Sequence, residues 1–271
     1  MTDQHKLPSG NVERRGWQRQ ELLLAFNLYC KTPFGRMHRN NAEIIALATL
    51  IGRTPSAVAL KLVNFASLDP VHQQRNVSGL KNASRSDRAI FDEFQSDWEK
   101  LAYESELSRQ DYTPAQPSTT EVTDAEPSQF PIVESVTERT QLVRVRTVQS
   151  FFRSAVLASY EYRCAICGIG IQPLLNASHI IPWSEEVTRR ADPTNGISLC
   201  ALHDRAFDRG LLTIDKEMRV VISAALASVA TPSEVHRVAL QNIHGCNLNL
   251  PHRFHPDRYA LEYHRNHIFV A

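Results

Sequence analysis

The sequence lacks long apolar stretches and has few cysteines. No segment approaches the roughly 20 consecutive apolar residues that a membrane-spanning helix needs. The first 20 residues, MTDQHKLPSGNVERRGWQRQ, lack the apolar centre of a signal peptide. Both absences predict a cytoplasmic protein that does not associate with a membrane. Five cysteines in 271 residues without an export signal argue against a disulfide framework, so any that cluster are expected to bind metal or to react.

The chain also lacks an excess of either charge. It has 30 Lys and Arg residues against 29 Asp and Glu, and 42% of its residues are hydrophobic. This composition is that of an ordinary globular protein, and it excludes collagen, a coiled coil and wholesale disorder. The charges are unevenly placed, because residues 101–135 hold seven acidic residues and one basic residue, whereas both flanking segments are mildly basic.

The acidic middle of the chain predicts a flexible linker. Its sequence, SRQDYTPAQPSTTEVTDAEPSQFP, is rich in Pro, Ser, Thr and acidic residues and has almost no aliphatic side chains. Such a segment cannot bury enough apolar surface to offset the entropy lost on ordering it. We therefore expect a first domain at residues 1–105, a linker at residues 106–140 and a second domain at residues 141–271. Two small domains also fit the chain length, at roughly 100–200 residues per domain.

The first domain is predicted to be all-helical. Apolar residues recur at helical spacing from Trp17 to Tyr29 and again from Asn41 to Ile51. After Gly52, a third helix is expected to begin at Pro55, because proline is favoured at the first helical position. A helix, a glycine-containing turn and a second helix form the outline of a helix-turn-helix. The pattern from Trp17 to Lys61 resembles three-helix DNA-binding domains of the helix-turn-helix and Myb-like kind.

Four basic residues of this domain are candidate contacts for DNA phosphates. They are Arg53 and Lys61 in the turn and third helix, and Arg36 and Arg39 in the loop before the second helix. Such contacts would position the protein on DNA without reading bases. A fourth helix, roughly from Ser86 to Tyr103, completes the predicted domain. The alternative is a small helical bundle that only packs or dimerises.

Two pairs of metal-type ligands stand out in the second domain. Cys164-x-x-Cys167 is followed by Cys200-x-x-His203. Each two-residue gap allows both side chains of a pair to face one ion from a tight turn, and four soft N and S ligands suit tetrahedral zinc. The alternative is that Cys200 is a small buried residue and that Cys164 and Cys167 form a reduced, uncommitted pair.

Three short phrases around these pairs resemble a known nuclease family. Ser178 to Trp183 reads SHIIPW, Asn195 to Leu199 reads NGISL, and Phe207 to Leu211 reads FDRGL. In order and spacing they resemble the HNH endonucleases, also called the ββα-metal family, and in particular a subgroup of restriction and defence enzymes. The resemblance covers roughly residues 144–216. It implies an α+β protein in which the flexible linker joins the helical domain to a C-terminal ββα-metal HNH nuclease domain.

The resemblance also implies a role for each polar residue of the motif. His179 is the general base, because a neutral imidazole can take a proton from water at cellular pH. Asn195 is expected to hold the hairpin loop and to orient His179 by a hydrogen bond. Asp204 and Asp208, four residues apart on one helix face, are candidate ligands of a catalytic Mg²⁺ or Mn²⁺ ion. Ser178 stands where many relatives carry a metal-binding Asp, and it is a weaker ligand.

The final His of the family motif can be placed in two ways. Either His203 completes the zinc site and Asp204 takes the position in the catalytic site, or His203 serves the catalytic ion. The first choice gives every ligand a use. We therefore expect a structural Zn²⁺ ion, separate from the catalytic ion, with the ligands Cys164, Cys167, Cys200 and His203. The C-terminal histidines, which lack a companion cysteine pattern, are expected to be surface or packing residues.

The resemblance implies a metal-dependent DNA endonuclease of a restriction or foreign-DNA defence system. The helical domain would bind double-stranded DNA and the HNH domain would cut it. A homodimer is expected, because cutting both strands with one active site per chain usually needs two chains. Two other classes stay open: a non-catalytic zinc-containing module that binds DNA or protein, and a nuclease for RNA or single strands.

Overall fold

The computed structural model describes residues 15–71, 83–112 and 136–271. The longer helices are α1 (Arg19–Lys31), α2 (Ala42–Leu50), α3 (Pro55–Leu68), α4 (Arg85–Phe94), α5 (Trp98–Tyr112), α6 (Val136–Ser159), α7 (Ala201–Asp208) and α8 (Arg258–His267). Two antiparallel pairs of strands accompany them: β1 (Leu175–His179) with β2 (Gly196–Cys200), and β3 (Leu212–Ile214) with β4 (Val220–Ile222). The protein is an α+β protein, as predicted. We call α1–α5 the helical region, and α6 and all that follows it the C-terminal region.

Local chemistry sets where α2 and α3 begin. The Asn41 side chain accepts a hydrogen bond from the Glu43 N–H, and the Thr54 hydroxyl accepts one from the Ala57 N–H. Such caps satisfy N–H groups that have no partner within the helix. Gly52 lies in the turn between them with a φ of 66°, in the left-handed region that favours glycine. α3 is turned by 108° relative to α2, an angle that helix-turn-helix motifs also have.

The single helix predicted from Ser86 to Tyr103 is in fact two helices. α4 and α5 are separate because the Asp97 carboxylate accepts a hydrogen bond from the Lys100 N–H at 2.9 Å, which starts a new helix. α5 continues to Tyr112, past residue 105, the predicted end of the first domain. Most of the predicted linker, residues 113–135, lies outside the described residues.

Helix α6 contributes to two separate cores. Phe151 packs with the apolar residues of the helical region, and its ring lies 6.2 Å from that of Trp98 in a stacked arrangement. The next residue, Phe152, packs instead with β1, β2 and α7, as does Val156. Neighbouring residues reach different cores because successive side chains of an α-helix point about 100° apart. α6 therefore joins the helical region to the β1–β2 hairpin.

A buried arginine ties the two regions together. Arg253 is 2% exposed and donates hydrogen bonds to the carbonyls of Tyr29, Cys30 and Thr32 at 2.6, 2.7 and 2.8 Å. These carbonyls lie at the end of α1, where a helix leaves acceptors without partners. The guanidinium also lies 4.8 Å from the ring centre of Tyr29 and 5.4 Å from that of Phe254. Arg253 thus caps a helix that lies more than 200 residues before it in the sequence.

The C-terminal segment, whose fold the sequence did not reveal, closes over the β3–β4 pair. Short helical turns at Ala224–Ala227 and Glu234–His236 lead to α8, which packs against β3. His264 of α8 stacks on Phe207 with ring centroids 3.7 Å apart, and its Nε2 donates to the Phe207 carbonyl at 3.2 Å. Burial lowers the pKa of His264 to about 4, so the ring is neutral and acts in packing.

No single helix among the described residues is long and apolar enough to cross a membrane. α2 and α3 pass that criterion only when they are joined across their 108° bend. Val58, Leu62 and Phe65 of α3 are buried in the core of the helical region.

Candidate functional site

The two Cys/His pairs come together at one end of the β1–β2 hairpin. Cys164 and Cys167 lie in a tight turn, in which the N–H of Gly168 bonds to the Cys164 carbonyl at 2.9 Å. Gly168 has a φ of 74°, which the turn requires and which glycine adopts without strain. Cys200 ends β2 and caps α7, and His203 follows in the first turn of that helix. A tight turn presents the first pair of side chains, and the junction between β2 and α7 presents the second pair.

The four ligand atoms have the spacing of a zinc site. They all lie within 4.8 Å of one another. Nδ1 of His203 is 3.4 Å from Sγ of Cys164 and 3.3 Å from Sγ of Cys200, and the sulfurs of Cys167 and Cys200 are 3.9 Å apart. Zn–S bonds of about 2.3 Å and Zn–N bonds of about 2.0 Å in a tetrahedron place such atoms roughly 3.5–3.8 Å apart. One zinc ion fits among them.

A hydrogen bond outside the cluster fixes the orientation of His203. Its Nε2 donates to the Ala239 carbonyl at 2.9 Å, so in the neutral ring Nδ1 is the unprotonated nitrogen and faces the sulfurs. Metal-binding histidines commonly have such an outer partner. Cys164 and His203 are each 1% exposed, so the cluster is closed on the side where they lie. In the described parts of the chain, no other group of three or more His, Cys, Asp or Glu side chains is close enough to hold an ion.

A separate cleft of about 880 Å³ contains four of the other predicted site residues, but not Asn195. Ser178 and His179 of β1 line it together with Asp204 and Asp208 of α7. The structure therefore brings His203 to the cysteines and Asp204, the next residue, to the cleft. Four basic residues that the sequence did not predict at this site also line the cleft: Arg153 of α6, Arg209 after α7, and His264 and His267 of α8.

Each of the two carboxylates in the cleft accepts a hydrogen bond from β1. Asn176 Nδ2 donates to Asp204 Oδ2 at 2.6 Å, and Ser178 Oγ donates to Asp208 Oδ1 at 3.4 Å. Burial and the charge of Asp204 raise the pKa of Asp208. A divalent cation would neutralise this repulsion, and carboxylate and hydroxyl oxygens suit Mg²⁺ or Mn²⁺. Asn176 was missed, although it precedes Ser178 by two residues and so shares its face of the strand.

The imidazole of His179 is held by three neighbours. Phe152 stacks on it with ring centroids 3.7 Å apart and planes 8° apart, and Trp183 meets it edge-on at 5.6 Å. Its Nε2 donates to the Arg190 carbonyl at 3.1 Å, which leaves Nδ1 as the unprotonated nitrogen of the neutral ring. Burial lowers the pKa of His179 although that hydrogen bond opposes the shift, so the ring is neutral at pH 7.

Asn195 closes the loop between β1 and β2. Its buried side chain accepts a hydrogen bond from the Ile181 N–H at 2.9 Å and donates to the Ile181 carbonyl at 3.1 Å. Its backbone carbonyl accepts a further bond from the Ile180 N–H. The hydrogen bond expected between Asn195 and His179 is not formed, because the amide is fully used by the loop. The Arg190 carbonyl holds the imidazole instead.

Two of the four predicted DNA contacts are engaged inside the helical region. Lys61 is buried, and its ammonium pairs with Asp87 at 2.7 Å. The Arg53 side chain is 11% exposed, pairs with Glu21 at 2.7 Å and lies 4.2 Å from the ring centre of Trp17. This placement corrects the expectation for Lys61, whose charge is buried and paired. Arg53 is partly exposed, but its guanidinium is already held by Glu21.

The exposed side of α3 carries no basic residue. Lys61 is the one cation in the sequence of this helix, and Leu60 beside it is 50% exposed. Arg36 and Arg39 are exposed, and the Arg36 guanidinium lies 5.6 Å from the ring centre of Tyr162. These two arginines stay candidates for contact with DNA, whereas α3 offers no surface charge with which to hold a phosphate.

Comparison with known proteins identifies the segment that contains the Cys/His cluster and most of the cleft. No curated protein matches the chain. Residues 164–215 match the family described as HNH endonuclease. The match begins at the first cysteine of the cluster, includes His179, Asn195, Asp204 and Asp208, and ends just after β3. The C-terminal region therefore carries an HNH domain that includes residues 164–215.

Proposed function

We propose that this protein is a metal-dependent DNA endonuclease that hydrolyses phosphodiester bonds in the cleft beside His179. The observation that carries the proposal is the way the imidazole is held. The Nε2–H group donates a hydrogen bond to the Arg190 carbonyl, so Nδ1 is free to accept a proton. A general base must be unprotonated at the working pH and fixed in place. Asp204 and Asp208 line the same cleft, so an ion and a base can act on one phosphate.

In this mechanism His179 Nδ1 takes a proton from the water that attacks phosphorus, and the 3′ oxygen leaves. Asp204 and Asp208, with Ser178 as a weaker oxygen ligand, would hold a divalent ion that stabilises charge on the scissile phosphate. Arg153 and Arg209 are exposed at the cleft and offer positive charge to the phosphates of the bound strand.

The Cys/His cluster has a structural role in this proposal. A zinc ion held by Cys164, Cys167, Cys200 and His203 ties the turn before the hairpin to the first turn of α7. Because Asp204 follows His203 directly, fixing the histidine also fixes the carboxylate relative to β1. Zinc thus acts on the chemistry only through the position of α7.

Several finer points belong to the same proposal. The resemblance to restriction and defence enzymes supports a role in cutting foreign DNA in the cytoplasm. One HNH domain per chain supports a homodimer for cutting both strands of a duplex. The exposed Arg36 and Arg39 support an additional contact between the helical region and DNA.

A second candidate function is a non-catalytic zinc module that binds DNA or protein. The observation that favours it is the contrast in completeness between the two sites. The Cys/His cluster has four protein ligands, whereas the cleft offers two carboxylates and the neutral hydroxyl of Ser178.

Cleavage assays on the full chain separate these functions. Supercoiled plasmid, single-stranded DNA and RNA are incubated in parallel with Mg²⁺ or Mn²⁺. We expect plasmid cutting by the wild type and a loss of about 10²- to 10⁴-fold in His179→Ala, because loss of a general base typically costs that much. Binding of plasmid without divalent ions should be unchanged in that variant.

The matched control is His255→Ala, which removes an exposed histidine that is not part of the cleft lining. It should cut like the wild type. A wild-type protein that contains zinc and binds DNA but cuts none of the substrates would establish the non-catalytic module instead. Cutting confined to single strands or RNA would change the substrate class.

A further inference from the structure

Phe152 lies outside the residues that match the HNH family, yet its ring lies flat against the imidazole of His179. We propose that Phe152 is a positioning residue: it sets the plane of the imidazole from which Nδ1 accepts the proton. The proposal rests on the proposed function, because it takes His179 as the general base. It also extends the active site to α6, which precedes the family segment by a turn.

The side chain of a histidine does not fix its own ring plane. The torsion about the Cβ–Cγ bond of His has a broad, roughly two-fold distribution. In His179 the bond from Nε2 to the Arg190 carbonyl fixes one direction in the ring but allows rotation about that direction. The face of Phe152, at 3.7 Å and 8° from parallel, blocks that rotation. The hydrogen bond and the stacked ring together leave one orientation for Nδ1.

Phe152 is itself held in place by the strand beside His179. Gly196 is the residue of β2 that pairs with His179 across the hairpin. A Cβ at Gly196 would lie 2.4 Å from Cγ2 of Val156 and 2.8 Å from Cζ of Phe152. The φ of Gly196, −132°, is open to any residue, so the glycine is required by space and not by backbone conformation. The missing side chain at Gly196 is what allows α6 to bring an aromatic ring under the imidazole.

The neighbouring Phe151 provides a matched control. It is fully buried on the same helix, but it packs against Trp98 in the core of the helical region. Phe151→Leu and Phe152→Leu remove the same atoms from adjacent buried positions. Both should lower the melting temperature, because both leave a cavity. Only Phe152→Leu should release the imidazole.

The first measurement is steady-state cutting of plasmid by the full chain with Mg²⁺ or Mn²⁺. We expect Phe152→Leu to lower kcat by about 10- to 100-fold with KM changed less than about twofold, since misplacing a reacting group by about 1 Å can cost that much. Phe151→Leu should keep kcat within about twofold. Phe152→Met, which lacks a ring but has a flexible, unbranched side chain that can partly fill the gap, replaces the leucine variant if the latter loses zinc or solubility.

The second measurement is the NMR spectrum of the full chain with labelled histidines, without DNA. The resonance missing in His179→Ala identifies His179, and the facing ring should shift it strongly upfield. Phe152→Leu should remove this shift, whereas Phe151→Leu should keep it. An unshifted His179 resonance in the wild type, or equal losses of kcat in the two variants, would overturn the proposal. If the wild type shows the shift but cuts no substrate, the stacking stands while the catalytic role of both residues fails.

Discussion

His203 and Asp204 are adjacent in α7, yet they belong to two sites of different design. His203 completes a cluster of four ligand atoms that lie within 4.8 Å of one another. Asp204 lines an open cleft of about 880 Å³, in which two carboxylates are the acidic groups. Structural zinc sites are closed by protein ligands, whereas catalytic sites keep a position for substrate and water. One short helix thus contributes His203 to the Cys/His cluster and Asp204 and Asp208 to the cleft.

The largest effect is expected when a ligand of the Cys/His cluster is removed. Cys200→Ser and His203→Ala should each abolish zinc binding and unfold the HNH domain, because binding of structural zinc is worth about 10–16 kcal/mol in zinc-finger peptides and is linked to folding. Elemental analysis measures the zinc, and circular dichroism measures the melting temperature. Cys246→Ser is the control, since Cys246 is exposed and lies outside the cluster.

The assignment of His203 and Asp204 to different sites would be contradicted if His203→Ala keeps its zinc and its melting temperature but cannot cut DNA. His203 would then serve the catalytic ion, and the assignment of Asp204 to the cleft would be wrong. Absence of zinc from the wild-type protein would refute the zinc site altogether.

A smaller and different effect is expected from Asp208→Asn. The pKa of Asp208 is raised by burial and by the charge of Asp204, so removing its charge relieves repulsion at neutral pH. The melting temperature should stay the same or rise, and one zinc per chain should be retained. Cutting should fall by at least about 100-fold, because a catalytic ion supplies several kcal/mol of transition-state stabilisation. Glu217→Gln, at an exposed carboxylate in the β3–β4 turn, should change none of these quantities.

The smallest effect is expected from Gly196→Ala. The new methyl group must displace Val156 or Phe152, and such overpacking typically costs about 1–3 kcal/mol. We expect a lower melting temperature and slower cutting, with the zinc retained. Gly170→Ala is the control, because a Cβ there meets its neighbours at 3.5 Å or more. Zinc loss in Gly196→Ala would mean that packing at the cleft affects zinc binding, so that the two sites are not independent.

The residues that make up the two sites could be predicted from the sequence to different extents. The sequence correctly grouped the four residues of the Cys/His cluster, because they occur as two close pairs. His179, Asp204 and Asp208 were found through the phrases around them, which resemble the HNH family. The fold class followed from the helical periodicity and from the same resemblance.

The misses share a physical cause, which is contact between residues far apart in the chain. Lys61 has no local sign of burial, since its partner Asp87 lies 26 residues away. Two adjacent aromatic residues such as Phe151 and Phe152 are common in amphipathic helices. The neighbouring sequence does not indicate that the ring of Phe152 contacts His179. The hydrogen bond expected between Asn195 and His179 is not formed, because the Asn195 side-chain amide bonds to the backbone of Ile181 instead.

The guanidinium of Arg253 limits whether the helical region and the C-terminal region can be exchanged separately between proteins. It is a planar fork matched to three carbonyls at the end of α1, and a lysine could not satisfy them with the same geometry. A C-terminal region grafted onto an unrelated helical partner would bury this cation without acceptors, and unpaired buried charge is strongly destabilising. Recombination can therefore preserve the protein only if Arg253 and the end of α1 are inherited together. Neither region can be exchanged without the other.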